Sequence, residues 1–444
     1  MSRLETDPAF VPAPPFIAKE PAETLAYVTL AAVDGSADAV GVIDTDADSA
    51  TYGQLVGKTD MPRIGDGLQS LCWNTAHPVT PDRYLLAAAQ HSARIYVLDT
   101  QPNPRCPRVA QVIDTATIAT PAGHAPPHAI RCGPGGIWVH GLAGPNSPDA
   151  ICLLDPESYA VRETWNPAGA SPESTYDFAW HLHHDTLVTS AWGSREMADA
   201  GLQADILMSA GYGHALHAWD LRDRRYRQRI ELGEHQTVLN LRAAHDPTSS
   251  FGFAAVALSL DDLSAAIWMW HKDVESDGGD EWKAQKVIAI PAEPADPGSL
   301  PEILRNFAAV PPLITGISLS ADDCALYVSC WGTGELRRYD VSNPFAPTLT
   351  GTVRLGGVLC STPHPAKPLV PLRGGPQAAE ISADGERVYV TSSLSTPWDS
   401  QFYPGGVPGW LARIDVDPDG SMSVDRSFSP DLEGLHTHQV SLRS

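Results

Sequence analysis

A chain of 444 residues with a net charge of −23 (30 Lys and Arg against 53 Asp and Glu) repels phosphate backbones and anionic lipid surfaces, which excludes nucleic-acid and membrane-surface partners. Its 39 Pro and 36 Gly are dispersed and only 19% of residues are charged, so the chain reads as folded and dense in turns, not disordered or linker-rich. Seven Cys without a CxxC pair disfavour a disulfide framework and a zinc cage of adjacent thiolates, and reduced, mostly buried thiols are expected.

In chain order, residues 1–25 read as an irregular arm with no apolar segment behind a basic start, and no apolar run anywhere is long enough to span a membrane. A cytoplasmic protein is expected. From there a short strand ending in an Asp turn recurs: GVIDTD at Asp44, RIYVLD at Asp99, ICLLD at Asp155, LHAWD at Asp220, LRRYD at Asp340 and LARID at Asp415, with AIWMW near Trp270 as a variant. The spacing leaves room for a four-stranded propeller blade plus an extended loop in each interval. Between these turns lies a second unit, a polar turn followed by an alternating strand: CGPGGIWVHG, HHDTLVTSAW, SADDCALYVSCW and SADGERVYVTSS. Its period of two marks half-buried antiparallel strands. Short helices are expected only at 194–207 and 300–307. The pattern predicts an all-β fold, a seven-bladed β-propeller with extended loops forming one domain over 1–444. The least regular blade is expected at 262–300, and six or eight blades would leave much the same pattern.

In a propeller the innermost strands meet at a central channel, so isolated side chains far apart in sequence can form one site. His128 and Cys132 flank the approach to a Gly-rich turn; His128 either caps that turn or faces the channel, and Cys132 is either a small buried hydrophobe or a ligand. His214 and His217 are three apart on a strand and point to opposite faces, so at most one reaches a common metal, and His214 is favoured. His181, His183 and His184 form either a metal cluster or a solvated turn beside Asp185. Cys72-Trp73 and Cys330-Trp331 pair a thiol with an indole, as sulfur–aromatic core contacts do.

Several longer strings resemble the selenium-binding protein family, which includes copper-dependent methanethiol oxidases. They are Trp73-Asn74-Thr75, Pro127-His128 with Cys132-Gly133-Pro134, Tyr176-Asp177-Phe178, Tyr212-Gly213-His214, Arg242 with His245-Asp246-Pro247, LITGISLSADDCALYVSCW, GGPQ at 374–377 and WDSQFYP at 398–404. The resemblance implies a propeller that oxidises a small thiol at a copper centre in the channel, methanethiol with O₂ and water giving formaldehyde, hydrogen sulfide and hydrogen peroxide. It also marks departures. The His-His pair usual before Trp-Asn-Thr is absent, Arg131 stands where the family has a second His, Asn240 stands where a carboxylate is usual, and the C-terminal string is reduced to Thr437-His438-Gln439.

The resemblance therefore implies a metal centre weakened or rebuilt, with His128, His214 and His438 as its ligands and copper as the cofactor. Asp177 is expected as an acid–base or supporting group. Arg131 and Asp177 could instead form an ion pair that replaces metal charge. Cys72 and Cys132 are the candidate thiols for copper or selenium. Expected partners are a small thiol or selenium species, or a protein at the channel mouth. The alternatives are a non-catalytic binding propeller and, without a marking motif, a hydrolase or lactonase with a carboxylate cage.

Overall fold

The computed structural model describes residues 22–114, 127–141, 150–165, 175–193, 197, 200–203, 206, 211–272, 281–394 and 396–443. Seven four-stranded antiparallel sheets make up the fold, with two short two-stranded hairpins beside them. Their innermost strands, blades 1 to 7 in chain order, are Leu68–Trp73, Pro127–Gly133, Thr175–His181, Gln236–Ala243, Ile314–Leu319, Ala379–Ile381 and Val440–Arg443. Each packs against the next and the last packs against the first, which closes a ring around an axis. Blade 7 is assembled from both ends of the described chain: Val440–Arg443 pairs with Leu25–Leu30, followed outward by Ala37–Asp44 and Leu55–Ile64.

The seven Asp-turn strands are the third strands of the seven blades. The Asp recurs for a local reason. At Asp44, Asp99, Asp155, Asp220 and Asp340 the carboxylate accepts the backbone N–H two residues on, at 2.9–3.1 Å, an Asx turn that starts the bend into the fourth strand. The alternating units are the second strands, but they are buried on both faces rather than half-buried: Ala325–Cys330 is buried along its whole length. Each second strand is sandwiched between the neighbouring blades, so apolar clusters fill the spaces between sheets.

Two expectations need correction. Residues 262–300 are not degenerate: Ala265–Lys272 and Trp282–Ile290 are outer strands of blade 4. The short helix expected at 300–307 is present as a 3₁₀-helix over 302–307, while 194–207 lies largely outside the described residues, as does most of the 1–25 arm. An α-helix not anticipated from the sequence, Thr396–Phe402, is built by the WDSQFYP string. Trp398 stacks on Phe402 with ring centroids 6.3 Å apart, and the Tyr403 hydroxyl donates to the Trp331 carbonyl at 2.7 Å. Asp399 accepts from Ser393 Oγ and from the Leu394 N–H. The string thus clamps a loop over one end of the channel.

The GGPQ string has a packing reason as well. Gly374 has φ +85°, and a Cβ on Gly375 would overlap the Trp331 carbonyl of blade 5. Because the obstacle is backbone, Gly375→Ala is expected to cost about 1–3 kcal/mol or more, seen as a lower denaturant midpoint. An unchanged midpoint would contradict this close approach.

The thiols also differ from expectation. All seven cysteines are free, but only Cys152 and Cys330 are fully buried, while Cys106 and Cys324 are exposed. Among the described residues no helix is long and apolar enough to cross a membrane.

Candidate functional site

The axis holds two hollows that share a waist. The larger, about 870 Å³, is lined from all seven inner strands, and the smaller, about 90 Å³, lies toward the clamp of Pro397 and Trp398. Four side chains line both: His128, Tyr176, Thr315 and His438.

Their convergence has a backbone cause. The innermost strands of blades 1 to 5 each slip register against their second strands, between Leu68 and Ser70, Pro127 and Ala129, Thr175 and Phe178, Val238 and Leu241, and Ile314 and Gly316. The inserted residues are Gln69, His128, Tyr176 with Asp177, Leu239 with Asn240, and Thr315. Each inserted set contributes to the axial lining. A β-bulge re-aims the side chain it carries. Repeated round the ring, these bulges turn polar groups toward the axis at one level.

His128 packs its ring 4.4 Å from that of Tyr176 and 6.5 Å from that of His140, which projects from the second strand of blade 2. His128 Nδ1 and both His140 nitrogens are buried without a hydrogen-bond partner among the described residues. Burial, with His140 nearby, holds the His128 imidazole down at about 3, and burial holds His140 and His438 down at about 4. All three rings are therefore neutral at physiological pH. His438 Nδ1 lies 3.1 Å from the Ser393 carbonyl, which places its proton there and leaves Nε2 unprotonated, 3.5 Å from Gln377 Nε2.

Below the waist, Arg131 Nη2 donates to both Asp177 oxygens at 2.8 Å. Asp177 also accepts the N–H groups of Phe178 and Leu241 and lies 3.5 Å from Arg242 Nη1. Burial pushes its carboxyl up, yet the Arg131 and Arg242 charges and the two N–H bonds outweigh burial and hold it below the usual range. A carboxylate so engaged holds its neighbours in place, as the supporting alternative for Asp177 expects. Nearby, the Cys132 N–H donates to Cys72 Sγ at 3.1 Å. The hydrogen bond between the two thiols lowers Cys132 and raises Cys72.

Six of the seven residues singled out in the sequence, Cys72, His128, Arg131, Cys132, Asp177 and His438, thus line one hollow. The seventh does not. His214 precedes the third strand of blade 3, Ala215–Asp220, two strands out from the axis, where its Nε2 lies 3.2 Å from Arg229 Nη2. The His181 cluster is also off the waist, and His181 Nε2 accepts the Trp270 indole N–H at 2.9 Å. Sequence reasoning missed His140, Tyr176, Thr315, Gln377 and Glu380. For His140 the only signal was its place in IWVHG, two residues from Trp138 and so on the same face of that strand.

The buried imidazoles make stability pH-dependent. Their folded values lie below the ordinary 6.5, so as pH falls through 6.5 the unfolded chain takes up protons that the folded chain refuses. Stability is full above pH 6.5 and is lost toward pH 4. His140 and His181, the latter held at about 3 by burial, are expected to contribute roughly 2 kcal/mol each to the loss between pH 7.5 and 4.5. Urea unfolding at the two pH values checks this; a His140→Leu variant with an undiminished acid loss would contradict it.

Comparison with known proteins gives a consistent picture. The family model described as 56kDa selenium binding protein matches residues 4–444. A methanethiol oxidase of Xenopus laevis is 32% identical over 425 residues, covering 89% of this chain and 86% of that protein. Selenium-binding protein 3 of Arabidopsis thaliana is 31% identical, covering 93% and 89%. The crystal structure of a hypothetical selenium-binding protein from Sulfolobus tokodaii superposes with a TM-score of 0.90 at 40% identity, covering 98% of this chain and 97% of that one. A periplasmic gluconolactonase of Pseudomonas aeruginosa, at 12% identity and a TM-score of 0.56, shares the fold alone.

Proposed function

Because the chain belongs to the selenium-binding protein family, we propose that it oxidises a small thiol within the axial hollow, in the manner its methanethiol oxidase relatives are named for. The observation that carries this reading is the convergence of imidazoles, thiols and the Arg131–Asp177 pair on one cavity.

Copper is the cofactor this reading calls for, and the donor set is its test. Neutral imidazole nitrogens suit copper, and His128 Nδ1 and both His140 nitrogens are buried without partners among the described residues. Because both rings stay neutral, protons do not compete for those nitrogens. Among the described residues no group of three or more His, Cys, Asp or Glu side chains is drawn together to hold an ion. The fit is therefore to an ion that His128 and His140 would hold, with His438 beside them, and not to a closed cage. When bound, copper would pass electrons between a thiolate and O₂.

The chain's own residues supply the rest. Tyr176 and Trp192, with ring centroids 5.0 Å apart, wall the waist with apolar surface and limit water there. Ser393 fixes the His438 tautomer through Nδ1, as a supporting hydrogen bond does for a ligand imidazole. Asp177 holds Arg131 in place below the waist.

The test is metal analysis of purified protein together with peroxide and sulfide formation from methanethiol, before and after copper loading. Copper-dependent formation of both products is expected. A protein that takes up copper and releases neither overturns the oxidase reading. That no three-donor group forms among the described residues favours the second reading, a propeller that binds its ligand without turnover.

A further inference from the structure

The larger hollow is lined by two arginines, Arg131 and Arg242, and by four carboxylates, Glu23, Asp177, Asp246 and Glu380. Of its acidic residues, Glu23 is bound to Arg387 and Tyr389, Asp246 is an exposed residue engaged by Thr248, and Asp177 is taken up by Arg131 and two backbone N–H groups. Arg242 has only a long ion contact with Asp177, which it shares with Arg131. Its Nη1 donates to the Leu241 carbonyl at 2.6 Å and lies 3.5 Å from Asp177, while Nε and Nη2 have no partner among the described residues.

Two more lining groups lie in the same hollow. Asn240 Oδ1 is buried without a partner among the described residues, and the Glu380 carboxyl feels the Arg242 charge. Burial pushes the Glu380 carboxyl up to about 7, with Arg242 pulling only partly against it, so near neutrality it is an incomplete counter-charge. Burial and the Arg131 charge bring Arg242 down only to about 10, so it remains a cation. A guanidinium held by one long, shared ion contact recovers only part of its desolvation cost. Its planar fork matches a carboxylate or oxyanion through paired N–H bonds.

We propose that Arg242 seats the acidic group of a small ligand, so that the hollow takes thiols bearing a carboxylate in preference to neutral alkyl thiols. This deepens the thiol reading by naming the substrate class, and it rests on that reading for the thiol but not for the anion. Arg242 holds the acid end while the thiol end extends toward the waist. The ligand's charge then completes the Arg131–Asp177–Arg242 group.

The test is binding without turnover. Isothermal titration of the metal-free full chain, under nitrogen, compares mercaptoacetate with its neutral methyl ester. The acid is expected to bind at least tenfold tighter, with Arg242→Gln losing that preference and Arg242→Lys keeping part of it. Equal affinity for acid and ester in the unaltered protein overturns the proposal, as does a preference that survives in Arg242→Gln. The acid–ester comparison needs no variant, so it stands even if Arg242→Gln fails to fold. A protein that prefers the acid but forms no peroxide keeps the anion seat and sinks only the oxidase reading.

Discussion

Asp177→Asn is expected to lower the unfolding free energy by about 3–5 kcal/mol, the range for stripping one partner from a buried ion group. The amide keeps the shape but not the charge, and leaves Arg131 and Arg242 facing each other without a counter-ion between them. It also forces a choice among donors, because the carboxylate serves Arg131 and the N–H groups of Phe178 and Leu241 together. The sign with pH follows from the lowered carboxyl. Its stabilisation is present above the ordinary carboxylate range and disappears as pH falls through the folded value, so parent and variant converge in acid. Urea midpoints across pH check this. Adding Arg131→Met to the variant is expected to recover part of the loss, because the pair is coupled. A variant as stable as the parent at pH 7 would show that water in the hollow already screens these charges.

The second large effect falls on activity. His128→Ala is expected to reduce copper retained after dialysis to background and thiol oxidation by a hundredfold or more, whereas His214→Ala changes neither by more than twofold. Unfolding does not account for the difference. His128 Nδ1 has no hydrogen bond to lose, so removing the ring costs packing against Tyr176 but no buried polar contact. Metal content per chain, read beside the melting curve, separates the two effects. If His128→Ala retains copper stoichiometrically, the imidazole pair at the waist is not the seat.

The blade count was legible because its signal is local. An Asp that accepts an N–H two residues on needs no knowledge of the rest of the fold; six of the seven repeats carry the Asp in their sequence and five of them make that bond. The ion pair of Arg131 and Asp177 was legible for a similar reason, since both lie in strings that lead an inner strand. His214 shows the limit. Nothing in YGHALHAWD tells whether the strand is first or third in its blade, and that rank alone decides whether its side chain reaches the axis. His140 shows another. Its approach to His128 depends on a register slip in the neighbouring strand, and a slip is set by pairing partners far along the chain. The full burial of the second strands was hidden as well, because polar Ser and Thr in a strand such as TLVTSA read as solvent-facing until the adjacent blade covers them.

The strand Val440–Arg443 closes the ring by joining Leu25–Leu30, and His438 stands two residues before it. Assembly and competence are thereby latched together: the imidazole is delivered by the same zippering step that turns an open arc of sheets into a circle. A chain halted partway through synthesis could stack most of its blades and still lack the finished pocket.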